Sequence, residues 1–238
     1  LRVTEDRITI EARSWRGVLY GVYYLEQILL DRGAPALRPG EITRRPRYDV
    51  RMFGEVYGTF TISGLRIDRP VTRETFSALS RFGANATFTF VNLGDYLDGR
   101  VFPELANPDR EKNLAELARL AEMARSAGLT LYLDAYNPKL PSGHPVFAAH
   151  PNARGARQHG GDIRCLSASD PETLAFIAGA WADVFRRVPA LGGMVAIIGG
   201  EGFYHCYMQA GPDGPDCPRC RARSPEDVVA GLTNAVFR

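Results

Sequence analysis

Apolar positions along the chain repeat first with a period of two, then with a period near 3.6. Leu1-Arg-Val and Ile8-Thr-Ile-Glu-Ala alternate in polarity around a charged turn, Thr4 to Arg7, which predicts a hairpin over residues 1–12. A helix is predicted over 15–32, because Val18, Val22, Leu25 and Leu29 share one face and Gly33 stops it. Residues 33–47 are rich in Pro, Gly and Arg and read as a linker. From Tyr48 a strand-then-helix rhythm repeats four times. The strands are placed near 48–57, from Ala84 to Val91, from Leu129 to Tyr136, and from Met194 to Ile198 with Glu201 at the tip. The helices are placed near 73–82, from Pro108 to Ala127 with Asn107 as N-cap, near 170–188 with Ser169 and Glu172 as a capping box, and from Pro225 with Ser224 as cap.

Loop lengths refine this picture. Helix-to-strand connections are short: Gly83, Gly128, and Pro189 to Gly192. Strand-to-helix connections are long, above all 137–168 and 202–223. Long loops gathered at the C-terminal ends of strands are the asymmetry of a (β/α)8 enzyme. A doubly wound sheet would share the alternation, but no Gly-x-Gly-x-x-Gly follows the first strand. The expected fold class is therefore α/β. Residues 41–238 form a partial (β/α)8 TIM-type barrel of about four β/α units, and residues 1–40 are part of a small α/β domain. The chain begins at Leu1 and stops at Arg238 inside a helical pattern, so it is expected to be a piece of a longer protein.

Composition removes some classes. The chain has 238 residues, 45% hydrophobic and 24% charged, with a net charge of +2. No apolar run approaches spanning length, so no membrane partner is expected. No Lys/Arg block points to nucleic acid. Four cysteines, Cys165, Cys206, Cys217 and Cys220, are too few for a disulfide scaffold.

Candidate chemistry sits at the predicted strand ends. Arg51, Glu55 and Tyr57 belong to the first strand, Asn92 and Asp95 to the second, Asp134, Tyr136 and Asn137 to the third, and Glu201, Tyr204 and His205 to the fourth. His144 lies in the long third loop. Carboxylates, an arginine and aromatics on one rim suit a sugar, whose hydroxyls need polar partners and whose apolar ring faces need aromatics. Glycoside hydrolysis needs a carboxylic acid to protonate the leaving oxygen. Glu201 is the candidate for that proton donor. Arg51, Asp134, Tyr136, Asn137, His144, Tyr204 and His205 are the candidates for substrate binding. Cys217-Pro-Arg-Cys220, with His205-Cys206 upstream, leaves three readings open: a structural zinc, a disulfide or redox pair, and unligated thiols. No cofactor is otherwise expected.

Several segments resemble glycoside hydrolase family 20, the beta-hexosaminidases, and their alpha-glucuronidase relatives. The segment Arg16 to Leu30 looks like the "G-x-x-Y-G-x-x-x-L-x-Q-L-L" helix of their small α/β domain. Arg45 to Arg51 looks like the approach to their first barrel strand, whose arginine grips substrate hydroxyls, a role that would fall on Arg51. Asp134 with Gly143-His144 is similar to their "D-x-P-G-H" segment, Asp170 to Thr173 to the start of their third barrel helix, and Gly199-Gly200-Glu201 to their "G-G-D-E". The resemblance implies a carbohydrate-active hydrolase acting on an oligosaccharide or glycoside. Where the family has adjacent Asp and Glu, this chain has Glu201 followed by Gly202. The alternatives are a non-catalytic carbohydrate-binding relative and a zinc-containing enzyme using His205 and the cysteines.

Overall fold

A computed structural model describes residues 1–56, 59–62, 65–158, 161–200 and 202–237, with side chains left out over 59–68. Tyr57 and Glu201 therefore lie outside the described residues. The chain opens with β1 (Arg2–Val3), β2 (Ile8–Thr9), α1 (Trp15–Arg32) and β3 (Gly40–Glu41). Then come β4 (Met52–Glu55), β5 (Thr59–Ile62), β6 (Leu65–Asp68), α2 (Arg73–Arg81), β7 (Ala86–Asn92), α3 (Arg110–Ser126) and β8 (Thr130–Tyr136). The remainder is β9 (Lys139–Pro141), α4 (Pro145–Ala149), β10 (Arg154–Arg157), β11 (Ile163–Leu166), α5 (Pro171–Arg187), β12 (Leu191–Val195), α6 (Pro218–Arg221) and α7 (Pro225–Val236).

The predicted hairpin forms, with Arg2 opposite Thr9. The segment expected to be a linker supplies a third strand, since β3 pairs with β1 and the Ile42 N–H donates to the Leu1 carbonyl at 2.9 Å. The small sheet therefore extends just past residue 40. α1 starts at Ser14, whose hydroxyl accepts from the Gly17 N–H, and ends at Gly33 in the left-handed region. It lies against the parallel sheet. The Tyr20 hydroxyl is 2.7 Å from the Ala84 carbonyl and 3.3 Å from that of Gly128, and the Arg16 guanidinium donates to the Thr130 hydroxyl.

β4, β7, β8 and β12 form one four-stranded sheet in that spatial order, every neighbouring pair parallel. The order never reverses. With right-handed crossovers, α2, α3 and α5 then fall on one face. A doubly wound sheet would reverse its order and carry helices on both faces. This is a mixed α/β fold of the kind found in part of a TIM-type barrel. The helix-covered face is the core: Val91, Leu131, Leu133 and Ala135 pack with Leu114, Leu117, Ala121, Ala124, Ile177 and Trp181, all at most 3% exposed. Burying each valine, leucine or isoleucine among them contributes about 1.5–3 kcal/mol. The opposite face carries Phe88, Phe90, Tyr132 and Val195, none of them fully buried.

Three expectations shift. The fourth strand runs over Leu191–Val195, not 194–198. Its start is set by Gly192 and Gly193, which lie against the Tyr132 ring; a Cβ on Gly192 would sit 2.8 Å from that ring and 2.3 Å from Thr130 Cγ2. The N-cap of α5 is Asp170, not Ser169; its carboxylate accepts from the Thr173 N–H and hydroxyl at 3.0 and 2.7 Å. α3 begins at Arg110 after a turn in which the Asn107 side chain accepts from the Asp109 N–H. The long third loop is also structured, since β9, β10 and β11 make an antiparallel sheet in the order β10-β11-β9.

Candidate functional site

The parallel sheet has two chemically different ends. At the base, where the strands begin, polar side chains bind backbone. The Asn85 side chain accepts from the Arg51 N–H and donates to the Asp49 carbonyl. The Arg51 guanidinium donates to the carbonyls of Gly83 and Tyr48, each at 2.8 Å. Arg51, expected to bind substrate, precedes β4. Its head group closes the base of the sheet instead.

At the rim, where the strands end, the side chains differ. Register puts Phe90, Asp134 and Val195 side by side, with Phe88, Tyr132 and Gly193 one layer below and Asn92 beside Tyr136 above. Alternation sends Leu131, Leu133 and Ala135 to the helices and Tyr132, Asp134 and Tyr136 to the other face. Asp134 is 4% exposed there. Around it runs a chain of edge-on rings: Phe88 to Phe90 at 6.0 Å, Phe90 to Tyr136 at 5.8 Å, and Tyr136 to Tyr204 at 6.2 Å between centroids. Lys139 ends this row. Its ammonium donates to the Tyr204 hydroxyl at 2.9 Å and lies 4.6 Å from the centre of that ring. Sequence reasoning passed over Lys139. The available signal was its rarity, one of two lysines in a chain that otherwise uses arginine.

Asn137 follows β8 and is buried. Its carbonyl oxygen accepts from the Trp181 indole N–H at 3.0 Å, while its Nδ2 has no partner among the described residues. Its backbone N–H donates to the Gly202 carbonyl at 3.2 Å. The Phe203 N–H returns to the Ile197 carbonyl at 3.1 Å, and Gln209 Nε2 donates to the Gly200 carbonyl at 2.9 Å. The backbone flanking position 201 is thus fastened beside the end of β8. Gly200 and Gly202 both take left-handed φ angles, +100° and +93°.

The two histidines expected at the site are engaged locally. His205 is 3% exposed. Its Nδ1 accepts from the Tyr207 N–H at 3.2 Å, so Nε2 carries the proton and faces the Ile198 carbonyl at 2.8 Å. Burial lowers its pKa, and the Ile198 carbonyl partly offsets that. His144 caps α4, its Nδ1 accepting from the Val146 N–H. Glu55 ends β4 and is exposed; Asn92 and Asp95 open the turn after β7, where Asn92 accepts from the Gly94 N–H. A cavity of about 10 Å³ between β7 and α3, lined by Thr89, Val91, Asn113 and Leu117 among others, has room for no more than a water. It lies on the helix side of the sheet and away from Asp134.

Three of the four cysteines cluster in the loop after β12, and the fourth lies beside one of them. Among the described residues, Cys206, Cys217 and Cys220 place their sulfurs within 4.8 Å of one another, and Cys165 Sγ is 3.8 Å from Cys206 Sγ. Of the set grouped from the sequence, His205 is turned away, while Cys165 lies beside Cys206, outside the group of three.

Neither a scan against models of protein families nor a search of curated proteins finds a match. Among solved structures, the chain is similar to the beta-N-acetylhexosaminidase from Bacteroides fragilis, with a TM-score of 0.60 and 20% identity over 99% of this chain and 49% of that one. It thus spans about half the length of that protein. An alpha-galactosidase from Lactobacillus brevis aligns with 69% of this chain and 21% of its own, at 9% identity and a TM-score of 0.39. At these identities the hexosaminidase likeness is one of fold, and the chain has the architecture of one half of that structure.

Proposed function

We propose that this chain is part of a carbohydrate-active glycoside hydrolase whose substrate lies on the rim beside Asp134. The observation that supports this reading best is Asp134 itself, a buried carboxylate within a row of aromatic rings on the face turned away from the helices. Sparse polar groups among aromatics are what a sugar ring requires. In this reading Asp134 accepts from substrate hydroxyls, Tyr136 and Tyr204 contact the ring faces, and Asn137 and Lys139 add donors at the edge. Glu201 acts as general acid/base, giving its proton to the leaving oxygen as the glycosidic bond breaks. The fold likeness to a hexosaminidase is in keeping with this assignment.

A non-catalytic, sugar-binding protein is the second reading. Gly202 favours it, because the resembling family has a second acid beside the first. The intact protein and its Glu201→Gln variant, assayed on a panel of aryl glycosides, separate the two. Turnover that falls about 10²–10⁴-fold in the variant is expected for a general acid. Turnover that the variant leaves unchanged removes Glu201 from the chemistry. Binding of a sugar without turnover supports the second reading.

A further inference from the structure

The cysteines lie far apart in the chain. Cys165 is on β11, Cys206 follows β12, and Cys217 and Cys220 bracket the first turn of α6. Each is at most 2% exposed. Four thiolates about 2.3 Å from a tetrahedral ion stand about 3.8 Å apart. The separation of Cys165 and Cys206 is 3.8 Å, far from the roughly 2.05 Å of a disulfide. Polar groups surround the sulfurs. The Ala156 N–H donates to Cys206 Sγ at 3.3 Å, the Ser167 hydroxyl is 3.5 Å from Cys217 Sγ, and the thiols of Cys220 and Cys165 donate to the Ser169 hydroxyl at 3.2 Å and the Ala156 carbonyl at 3.5 Å. The N–H at Cys206 and the hydroxyl at Cys217 suit sulfur carrying negative charge and help to fix those side chains in place. β10 presses close: a Cβ on Gly155 would lie 2.8 Å from Cys165 Sγ and 2.5 Å from its carbonyl oxygen.

We propose that Cys165, Cys206, Cys217 and Cys220 bind a zinc ion as a closed, four-thiolate structural site. On binding, four thiol protons leave to solvent and four sulfur–zinc bonds form, with no change of oxidation state. With every position taken by protein, the ion performs no chemistry on substrate. Its effect is mechanical, because it ties the loop after β12 to the β10–β11 hairpin. Asp216 strengthens the same tie. Its carboxylate accepts from the Arg157 N–H at 2.9 Å and from the Arg164 guanidinium at 2.8 Å. The assignment stands independently of the glycosidase reading.

The test is elemental analysis of the intact protein purified without added metal or reductant, together with a thiol count in denaturant, with and without chelator. About one zinc per chain is expected, with four thiols that react only after denaturation and chelation. Cobalt exchanged into the site should give the strong thiolate-to-metal absorption of a tetrahedral four-sulfur centre. Metal-free protein with four reactive thiols overturns the proposal. So does a count below four, which means a disulfide, and iron in place of zinc overturns the choice of metal. In Cys165→Ser, zinc should be lost to a competing chelator at least tenfold more readily; unchanged retention removes Cys165 from the ligand set. If that variant does not fold, the metal and thiol counts on the unaltered protein still decide.

Discussion

The two ends of the parallel sheet are built from similar residues put to different uses. At the base, Arg51, Asn85 and Tyr20 direct their polar atoms at backbone carbonyls of short connections. At the rim, Asp134, Tyr136, Asn137 and Tyr204 sit among long loops, with aromatic faces beside them. A short loop leaves its carbonyls exposed unless a side chain caps them, and capping uses up the side chain. A long loop satisfies its own backbone, as the hairpin of β10 and β11 does, and releases side chains for a ligand. Polar residues flanking a strand therefore differ in meaning according to which end they flank.

Mutation can break or sharpen this contrast. Asp134→Asn should lower kcat/KM about tenfold to a hundredfold, as loss of a charged hydrogen-bond partner implies, while thermal stability holds. Unchanged kinetics would move the sugar elsewhere. Arg51→Met should do the reverse, costing about 1.5–3 kcal/mol in denaturant unfolding with kcat/KM intact. A raised KM would return Arg51 to the substrate. Gly192→Ala forces a methyl into the Tyr132 ring and Thr130, for about 1–3 kcal/mol. Pairing it with Tyr132→Ala should recover part of that loss, and a purely additive double variant would show that the ring is not what the glycine accommodates. The smallest effect, about 1 kcal/mol in the unfolding midpoint, is expected for Ser14→Ala, which removes the cap of α1 without touching either end of the sheet.

Much of the fold was legible because its signals are local. Gly33, Ser224 and the stripe through Leu114 and Leu117 each mark a boundary or a face within a few residues of where they act. Asp170 was passed over for Ser169 because both can cap, and only the turn preceding α5 decides which side chain meets the Thr173 N–H. β9 to β11 were invisible for another reason. Arg154 to Arg157 carries no apolar alternation, and its strand is held by distant partners, Asp216 and the cysteines. The same distance hid Cys165 from the set grouped around the Cys-x-x-Cys pair. Arg51 and Asp134 look equally promising as letters, and only the structure shows that they lie at opposite ends of the sheet.

Tyr20 has a further consequence. One hydroxyl on α1 spans the carbonyls that immediately precede β7 and β8, at Ala84 and near Thr130 at Gly128. It therefore works as a gauge of how the two strands slide past each other. A slip of one residue in either would take its carbonyl out of reach, and a slip of β8 would also turn Asp134 from the aromatic side of the sheet to the helical side. A helix outside the sheet, bonded where its strands begin, thus guards the direction in which the acid points.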